Sequence, residues 1–357
     1  MELFNTPVYC LSRIITSICT GEFVLTSIAV PIAVMISQLY RFGTNKKYNV
    51  HRHHIVLITG CSSGIGKHMC MYLLQCGYTI YAGVRKQSDA DILVSECSRQ
   101  QPDTVDRLHP IILDVCKADH IDNAYNTLNN RLQSNPQYRL FGLVNNAGVS
   151  LQLPIECMTE QQLRQQYEIN TIAPILLTNK LLPLLRLHTT QQHTSRILFV
   201  SSVAGSIVAP DVAAYASSKH AISAIAHGYR QELRAFNIDV CIISPGSVQS
   251  DLRSKGQLHT SNNNTNTMTY PHDHHIEPHI LHSYQKSHDK CQQSFDSMSN
   301  SACSPIVVSR QIECALRDSI PYTQYLCASE ANYIPILTKL PDKIFDRLAL
   351  MNWTVKP

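Results

Sequence analysis

Tyr215-Ala-Ser-Ser-Lys219 is the pair of residues in this sequence best spaced to move a proton. On a helix, positions i and i+4 share a face, so the phenol and the ammonium become neighbours. A free tyrosine has a pKa near 10, and an adjacent Lys⁺ favours the phenolate, so Lys219 is expected to pull Tyr215 down. Each unit of such a shift is worth about 1.4 kcal/mol. A tyrosine tuned in this way can give a proton to, or take one from, an alcohol or carbonyl oxygen. The Tyr-x-x-x-Lys spacing alone arises often by chance on helices. Its register with other residues distinguishes it here. Ser202 stands thirteen residues upstream at the end of an apolar run, where a hydroxyl could hold a substrate oxygen beside Tyr215. Asn170 falls inside a long helical pattern, where a buried amide needs partners; a water relay to Lys219 would supply them.

A second group of residues has the chemistry to hold a dinucleotide. Thr59-Gly60-Cys61-Ser62-Ser63-Gly64-Ile65-Gly66 follows a short apolar run and opens a helical pattern. Gly60 permits a tight turn, and Gly64 and Gly66 let backbone approach a pyrophosphate. The N–H groups of Ser62, Ser63, Ile65 and Gly66 at the helix start favour the negative charge. An acidic residue about 18 positions after the last glycine would select NAD by bonding its ribose hydroxyl. Val84 stands there instead, followed by Arg85 and Lys86. Arg85 would welcome a 2′-phosphate, which favours NADP, with NAD still possible; the other reading is a surface arginine stacked on adenine. Asp114 either accepts a bond from the adenine amino group or caps the helix beginning near Lys117. Asn145-Asn146-Ala147-Gly148 ends another apolar run, where small residues let backbone lie along a cofactor and Asn side chains tie neighbouring strands. Pro245-Gly246-Ser247-Val248, with Ser250 after it, forms a turn that can close over a nicotinamide.

The elements that must position these residues alternate. Apolar runs predict strands at Ile55–Thr59, Tyr78–Val84, Leu108–Val115, Phe141–Asn145, Ile197–Ser201 and Val240–Ser244, with another around Gln324–Ala328. Helical patterns lie between them, clearest at Gly64–Cys76, Thr159–Leu187 and Tyr215–Phe236. Short apolar strands separated by helices predict an α/β fold: a doubly wound parallel sheet, Rossmann-type, in a single domain spanning 51–340. A C-terminal tail, 341–357, follows it.

Composition narrows the function classes. The formal net charge of +4 is mild and no dense basic stripe appears, which excludes nucleic acid as a partner. Thirteen cysteines without paired spacing read as reduced thiols, and Cys61, Cys76, Cys116 and Cys241 fall beside strands or in the expected core. Residues 1–50 form an anchor and basic linker. Phe23–Tyr40 holds no charge over 18 residues, about the minimum to cross a bilayer. Arg41, Lys46, Lys47 and Arg52 follow it, which places the remainder on the cytoplasmic side. An interfacial helix and a soluble packing arm are the other readings. Arg253–Ser304 is rich in Ser, Asn, Gln and His. Its histidines raise the question of a metal, but the plainer reading is a low-complexity surface loop with no metal, which could serve as a lid over the substrate mouth.

With TGCSSGIG, Asp114, NNAG, Asn170, Ser202, YASSK and SPG in that order, the chain resembles the short-chain dehydrogenase/reductase family from roughly His54 to Lys339. The resemblance implies that Asn170, Ser202, Tyr215 and Lys219 form a catalytic tetrad and that Lys219 also holds the nicotinamide ribose. The family commonly has Thr soon after the Pro-Gly turn; Ser250 is the nearest residue here. The apolar N-terminus and the Ile306–Leu340 segment look like the retinol and hydroxysteroid dehydrogenase branch. That implies a small lipophilic substrate, attachment to the endoplasmic reticulum membrane, and a homodimer. The alternatives are an NAD-linked dehydrogenase of a small hydroxy acid such as 3-hydroxybutyrate, and a non-catalytic dinucleotide-binding module.

Overall fold

Strands that bury both faces need helices on both sides. β1 (His54–Ile58), β2 (Thr79–Val84) and β5 (Ser195–Val200) are buried at every position. β3 (Leu108–Ile112), β4 (Arg139–Asn145), β6 (Ile238–Pro245) and β7 (Gln324–Cys327) join them. The computed structural model describes residues 45–190, 194–250, 252, 278–328 and 330–353. In it the strands form one seven-stranded sheet in the order β3-β2-β1-β4-β5-β6-β7, parallel throughout. The winding direction reverses between β1 and β4. At such a switch point the carboxyl ends of the strands open a crevice.

Alternation along each strand feeds two cores. Ile55, Leu57, Leu143 and Phe199 face α3 (Ala118–Ser134), α5 (Ala173–Arg186) and α6 (Ala213–Glu232). Val56, Ile58, Leu198 and Ile243 face α1 (Gly64–Gln75), α2 (Gln87–Gln100) and α8 (Ile306–Arg317). The expected Rossmann-type architecture is the one observed.

Two local expectations need correction. The single helix expected over Thr159–Leu187 is divided. α4 (Glu160–Tyr167), begun by a capping box between Thr159 and Gln162, runs into a π-helical segment, Glu168–Ile172, before α5. The polar stretch expected as one loop contains a 23-residue helix, α7 (Pro278–Asn300), while 253–277 lie outside the described residues. Cys116 is exposed and Cys76 half-buried, whereas Cys61 and Cys241 are buried. Beyond β7 come α9 (Ile334–Leu337) and α10 (Asp342–Trp353), the latter packed against α7.

The stretch expected to act as an anchor, Phe23–Tyr40, lies outside the described residues; among those described, no helix is long and apolar enough to cross a membrane. Residues 45–49 form a small unit with 317–320. Lys47 bridges Asp318 in antiparallel fashion, the Tyr48 N–H donates to the Arg317 carbonyl at 2.7 Å, and the Ser319 N–H to the Lys46 carbonyl at 2.7 Å.

Candidate active site

The crevice is built first by backbone that a side chain would obstruct. Gly60 has φ +73°, and a Cβ there would lie 2.9 Å from Ala147 Cα. At Gly66 a Cβ would lie 2.2 Å from the Gly60 carbonyl oxygen. Thr59 and Asn146 hold this turn against the end of β4. The Thr59 hydroxyl accepts from the N–H of Asn146 at 3.0 Å and of Ala147 at 2.9 Å. Asn146 Nδ2 donates to the Thr59 carbonyl at 2.8 Å and lies 3.3 Å from that of Gly60. The expected tie between strand ends is therefore present. Thr59 is its second half, and sequence reading missed it: it stands at the head of the glycine-rich motif, but nothing local marks it as an acceptor.

No side chain caps the start of α1, and its first turn holds no acidic residue. Its N–H groups and partial positive charge are directed to the crevice, a fit for a pyrophosphate. Gly60, Ser62, Ser63, Gly64, Ile65 and Gly66 line this end. Arg85 and Asp114 line it further along; Arg85 is exposed and no acidic side chain stands at the end of β2, where Val84 is buried. The Asp114 carboxylate accepts from the Cys116 N–H at 3.2 Å, while the residue capping α3 is Lys117. The helix-cap reading of Asp114 is thus replaced by a turn that keeps it at the crevice wall. Asn146, Ala147, Gly148, Pro245, Gly246, Val248 and Ser250 line the other end. The turn after β6 is fixed from two sides: the Gly246 N–H donates to the Cys327 carbonyl at 2.8 Å, and Val248 bridges Cys303, just beyond α7.

Ser202, Tyr215 and Lys219 meet in this same crevice. Ser202 lies two residues beyond β5 and caps the 3-10 turn Val203–Gly205, accepting from the Ala204 N–H at 3.1 Å. Tyr215 and Lys219 lie in the first two turns of α6, both buried, with Lys219 Nζ 5.8 Å from the Tyr215 ring centroid. Lys219 Nζ donates to the Val200 carbonyl at 2.9 Å. Burial holds the Lys219 ammonium down to about 8. Burial also pushes the Tyr215 phenol above its ordinary value, with the Ser202 hydroxyl acting in the opposite direction. The expected lowering of Tyr215 by Lys219 is overturned. Spacing shows the neighbour but not the loss of water around the phenol.

Asn170 does not line the crevice. It lies buried one layer behind, at the middle of the π segment. Its Oδ1 accepts from the Val149 N–H at 2.9 Å; its Nδ2 donates to the Val149 carbonyl at 2.9 Å and to Ser218 Oγ at 3.0 Å. Pro174, four residues on, has no N–H for the Asn170 carbonyl, so the α-helical pattern cannot continue there. Gly148 separates Asn170 from the crevice: a Cβ there would lie 3.2 Å from Asn170 Oδ1 and 3.5 Å from Lys219 Nζ. Gln166, another partner the sequence did not reveal, bonds the Val149 carbonyl and the Leu151 N–H at 2.9 Å each.

The chain is similar to several known proteins over part of its length. A reductase described as NADPH-dependent 3-dehydrocapnine reductase, from Ornithobacterium rhinotracheale, is 34% identical over 201 residues, covering 56% of this chain and 68% of that one. Mouse mitochondrial D-beta-hydroxybutyrate dehydrogenase is 30% identical over 192 residues, 54% of this chain and 53% of that one. Mouse retinol dehydrogenase 5 is 30% identical over 207 residues, 58% and 60% of the two chains. The chain thus spans about half to two-thirds of the length of these three relatives. Among solved structures, a short-chain dehydrogenase from Streptomyces avermitilis superposes with a TM-score of 0.62 at 24% identity, covering 84% of this chain and 95% of that one. The family model described as short chain dehydrogenase matches residues 54–260, and the chain belongs to that family of oxidoreductases, which act on alcohol and carbonyl groups.

Proposed function

We propose that the chain is an NADP(H)-linked oxidoreductase of a lipophilic alcohol or its carbonyl counterpart, steroid- or retinoid-like, with Tyr215 exchanging the proton. The observation that carries this reading is the meeting of Ser202, Tyr215 and Lys219 in one crevice with an uncapped helix start and its glycine-rich turn. A bound nicotinamide dinucleotide supplies or accepts the hydride. The turn Gly60–Gly66 would hold the pyrophosphate, Arg85 the 2′-phosphate and Asp114 the adenine amino group. Lys219 would hold the ribose, and the Pro245–Ser250 turn would contact the nicotinamide end. The NADPH dependence named for the Ornithobacterium relative supports the choice that Arg85 suggests.

Ser202 holds the substrate oxygen. In reduction the Tyr215 O–H donates its proton to that oxygen as it becomes a hydroxyl, and the Ser202 hydroxyl supports the phenolate left behind. A buried phenol pushed upward is protonated at neutral pH, which suits reduction and makes oxidation favour alkaline solution. Asn170 positions the Gly148–Val149 backbone behind the site. Phe23–Tyr40 and the basic residues after it support attachment to a membrane.

Tyr215→Phe tests the reading. NADPH affinity should stay within about threefold, while kcat/KM for a ketone should fall by 10²–10⁴. Activity within about tenfold of the parent would assign the proton to another group.

A further inference from the structure

Asp114 is tied at three points. Its carbonyl accepts from the Lys117 N–H at 3.0 Å, and its Oδ1 from the Cys116 N–H at 3.2 Å. Its own N–H donates to His120 Nδ1 at 3.0 Å. The first two bonds lie within one short turn. The third comes from an imidazole six residues on, the third residue of α3. We infer that His120 is a positioning residue for cofactor recognition: it holds the Leu113–Asp114 peptide so that the Asp114 carboxylate faces the adenine amino group. The inference rests on the part given to Asp114 in the proposed function and adds a second residue to it.

A peptide group is planar, so fixing the Asp114 N–H fixes the whole Leu113–Asp114 plane. The Leu113 N–H is held as well, by the Val84 carbonyl at 2.7 Å, beside the strand end that carries Arg85. Backbone is therefore set on both sides of Asp114, and the direction of its Cα–Cβ bond follows. Oδ1 is engaged with the Cys116 N–H, which leaves Oδ2 for a ligand. His120 does this from outside the crevice. It is half-buried and lines no part of the crevice, whereas Leu113, Asp114, Val115 and Cys116 all do. Without an acceptor at residue 120 the Asp114 N–H would lose its bond, and the peptide could turn. An imidazole that accepts at Nδ1 carries its proton on Nε2 when neutral. Nε2 lies 3.9 Å from Asp119 Oδ2, and a carboxylate on that side favours the same tautomer.

The test compares NADPH with the analogue whose adenine is replaced by hypoxanthine, by calorimetric binding to the full-length, cofactor-free protein. The two share the 2′-phosphate, pyrophosphate, riboses and nicotinamide. A general loosening of the crevice weakens both alike and leaves their ratio unchanged, so only contact at the amino position moves it. The parent should bind NADPH tighter by about tenfold or more, as a hydrogen bond to a charged group requires. His120→Phe keeps a ring but offers no acceptor, and should bring the two within about threefold. His120→Asn, whose Oδ1 lies as many bonds from Cα as Nδ1 does, should hold the parent ratio within about twofold. Should His120→Phe not fold, His120→Gln, with its acceptor one bond too far out, takes its place. Hydrogen exchange of the Asp114 amide, read by NMR without any ligand, is the second measurement. It should quicken about tenfold or more in His120→Phe and stay near the parent rate in His120→Asn. A parent ratio retained by His120→Phe, or an Asp114 amide that exchanges equally in both, overturns the inference and leaves Asp114 its role. A parent that binds both dinucleotides equally removes Asp114 from the adenine site, and the inference falls with it.

Discussion

His288 Nδ1 lies 2.7 Å from Asp211 Oδ2, and this bond fastens α7 to the backbone four residues before Tyr215. Asp211 is buried and adopts φ +63°, a left-handed conformation that Asp and Asn tolerate better than most residues. Its carbonyl also accepts from the Leu153 N–H at 2.9 Å. The second tie of α7 is Tyr284 Oη to Glu156 Oε2 at 2.8 Å. His288→Ala leaves a buried carboxylate without this partner, so stability should fall by about 1–3 kcal/mol. KM for a ketone should rise severalfold while NADPH affinity stays constant. Urea unfolding and steady-state kinetics check both; an unchanged KM would show that α7 does not bear on the substrate space.

Arg85→Asp should turn cofactor preference toward NADH. Losing charge-assisted bonds to a 2′-phosphate costs about 1.5–3 kcal/mol, roughly a 10- to 150-fold drop in kcat/KM with NADPH. The introduced carboxylate offers the 2′-hydroxyl of NADH an acceptor. Kinetics with both cofactors decide it. A parent enzyme that already prefers NADH would remove the role given to Arg85.

Lys219 predicts a pH dependence of stability. Its ammonium titrates at about 8 when folded against an ordinary value of 10.5. Between these values the unfolded chain holds a proton that the folded chain lacks, so this group makes stability rise with pH across that window. Below pH 8 its full cost, roughly 3 kcal/mol, is present. Lys219→Met should therefore narrow the stability difference between pH 7.5 and pH 10 in the cofactor-free protein. Urea midpoints of parent and variant, subtracted at each pH, isolate the effect from other titrating groups. A constant difference would mean that Lys219 is not held in its depressed state.

Removing residues 1–44 should release the protein from membranes and leave its melting temperature within a few degrees of the parent's. Removing 1–50 should cost more, about 1–3 kcal/mol, because the bonds of Lys46 and Tyr48 to 317–319 go with it. Carbonate extraction and thermal denaturation of both truncations provide the comparison; equal stability would make the Lys47–Asp318 bridge dispensable.

Residues whose roles are local were legible from the chain. The glycine turn, the Tyr215–Lys219 spacing and the serine just beyond β5 depend on helix and strand periodicity, and the structure brings them to one crevice. Features set by tertiary contact were not. One wide turn at Glu168–Ile172 barely disturbs an apolar pattern, yet it is fixed by Asn170 and Gln166 reaching Val149. α7 reads as a loop because its residues are Ser, His and Gln. Its partners, Asp211 for His288 and the helix α10, are distant in sequence. The height of the Tyr215 pKa follows from burial, which no spacing encodes.

The wide turn also sets how the sequence can change length. Deleting any one residue of Glu168–Ile172 would tighten the segment toward α-helical spacing, although Pro174 would still offer no N–H to the turn before it. It would also rotate α4 against α5 by about 100°. Gln166 and Asn170 could then no longer both face Val149, and the crevice floor behind Gly148 would lose its support. Point substitutions can be absorbed along much of this helix pair, but single-residue deletions within the turn cannot, so the turn's length supports the crevice floor as much as the side chains it carries.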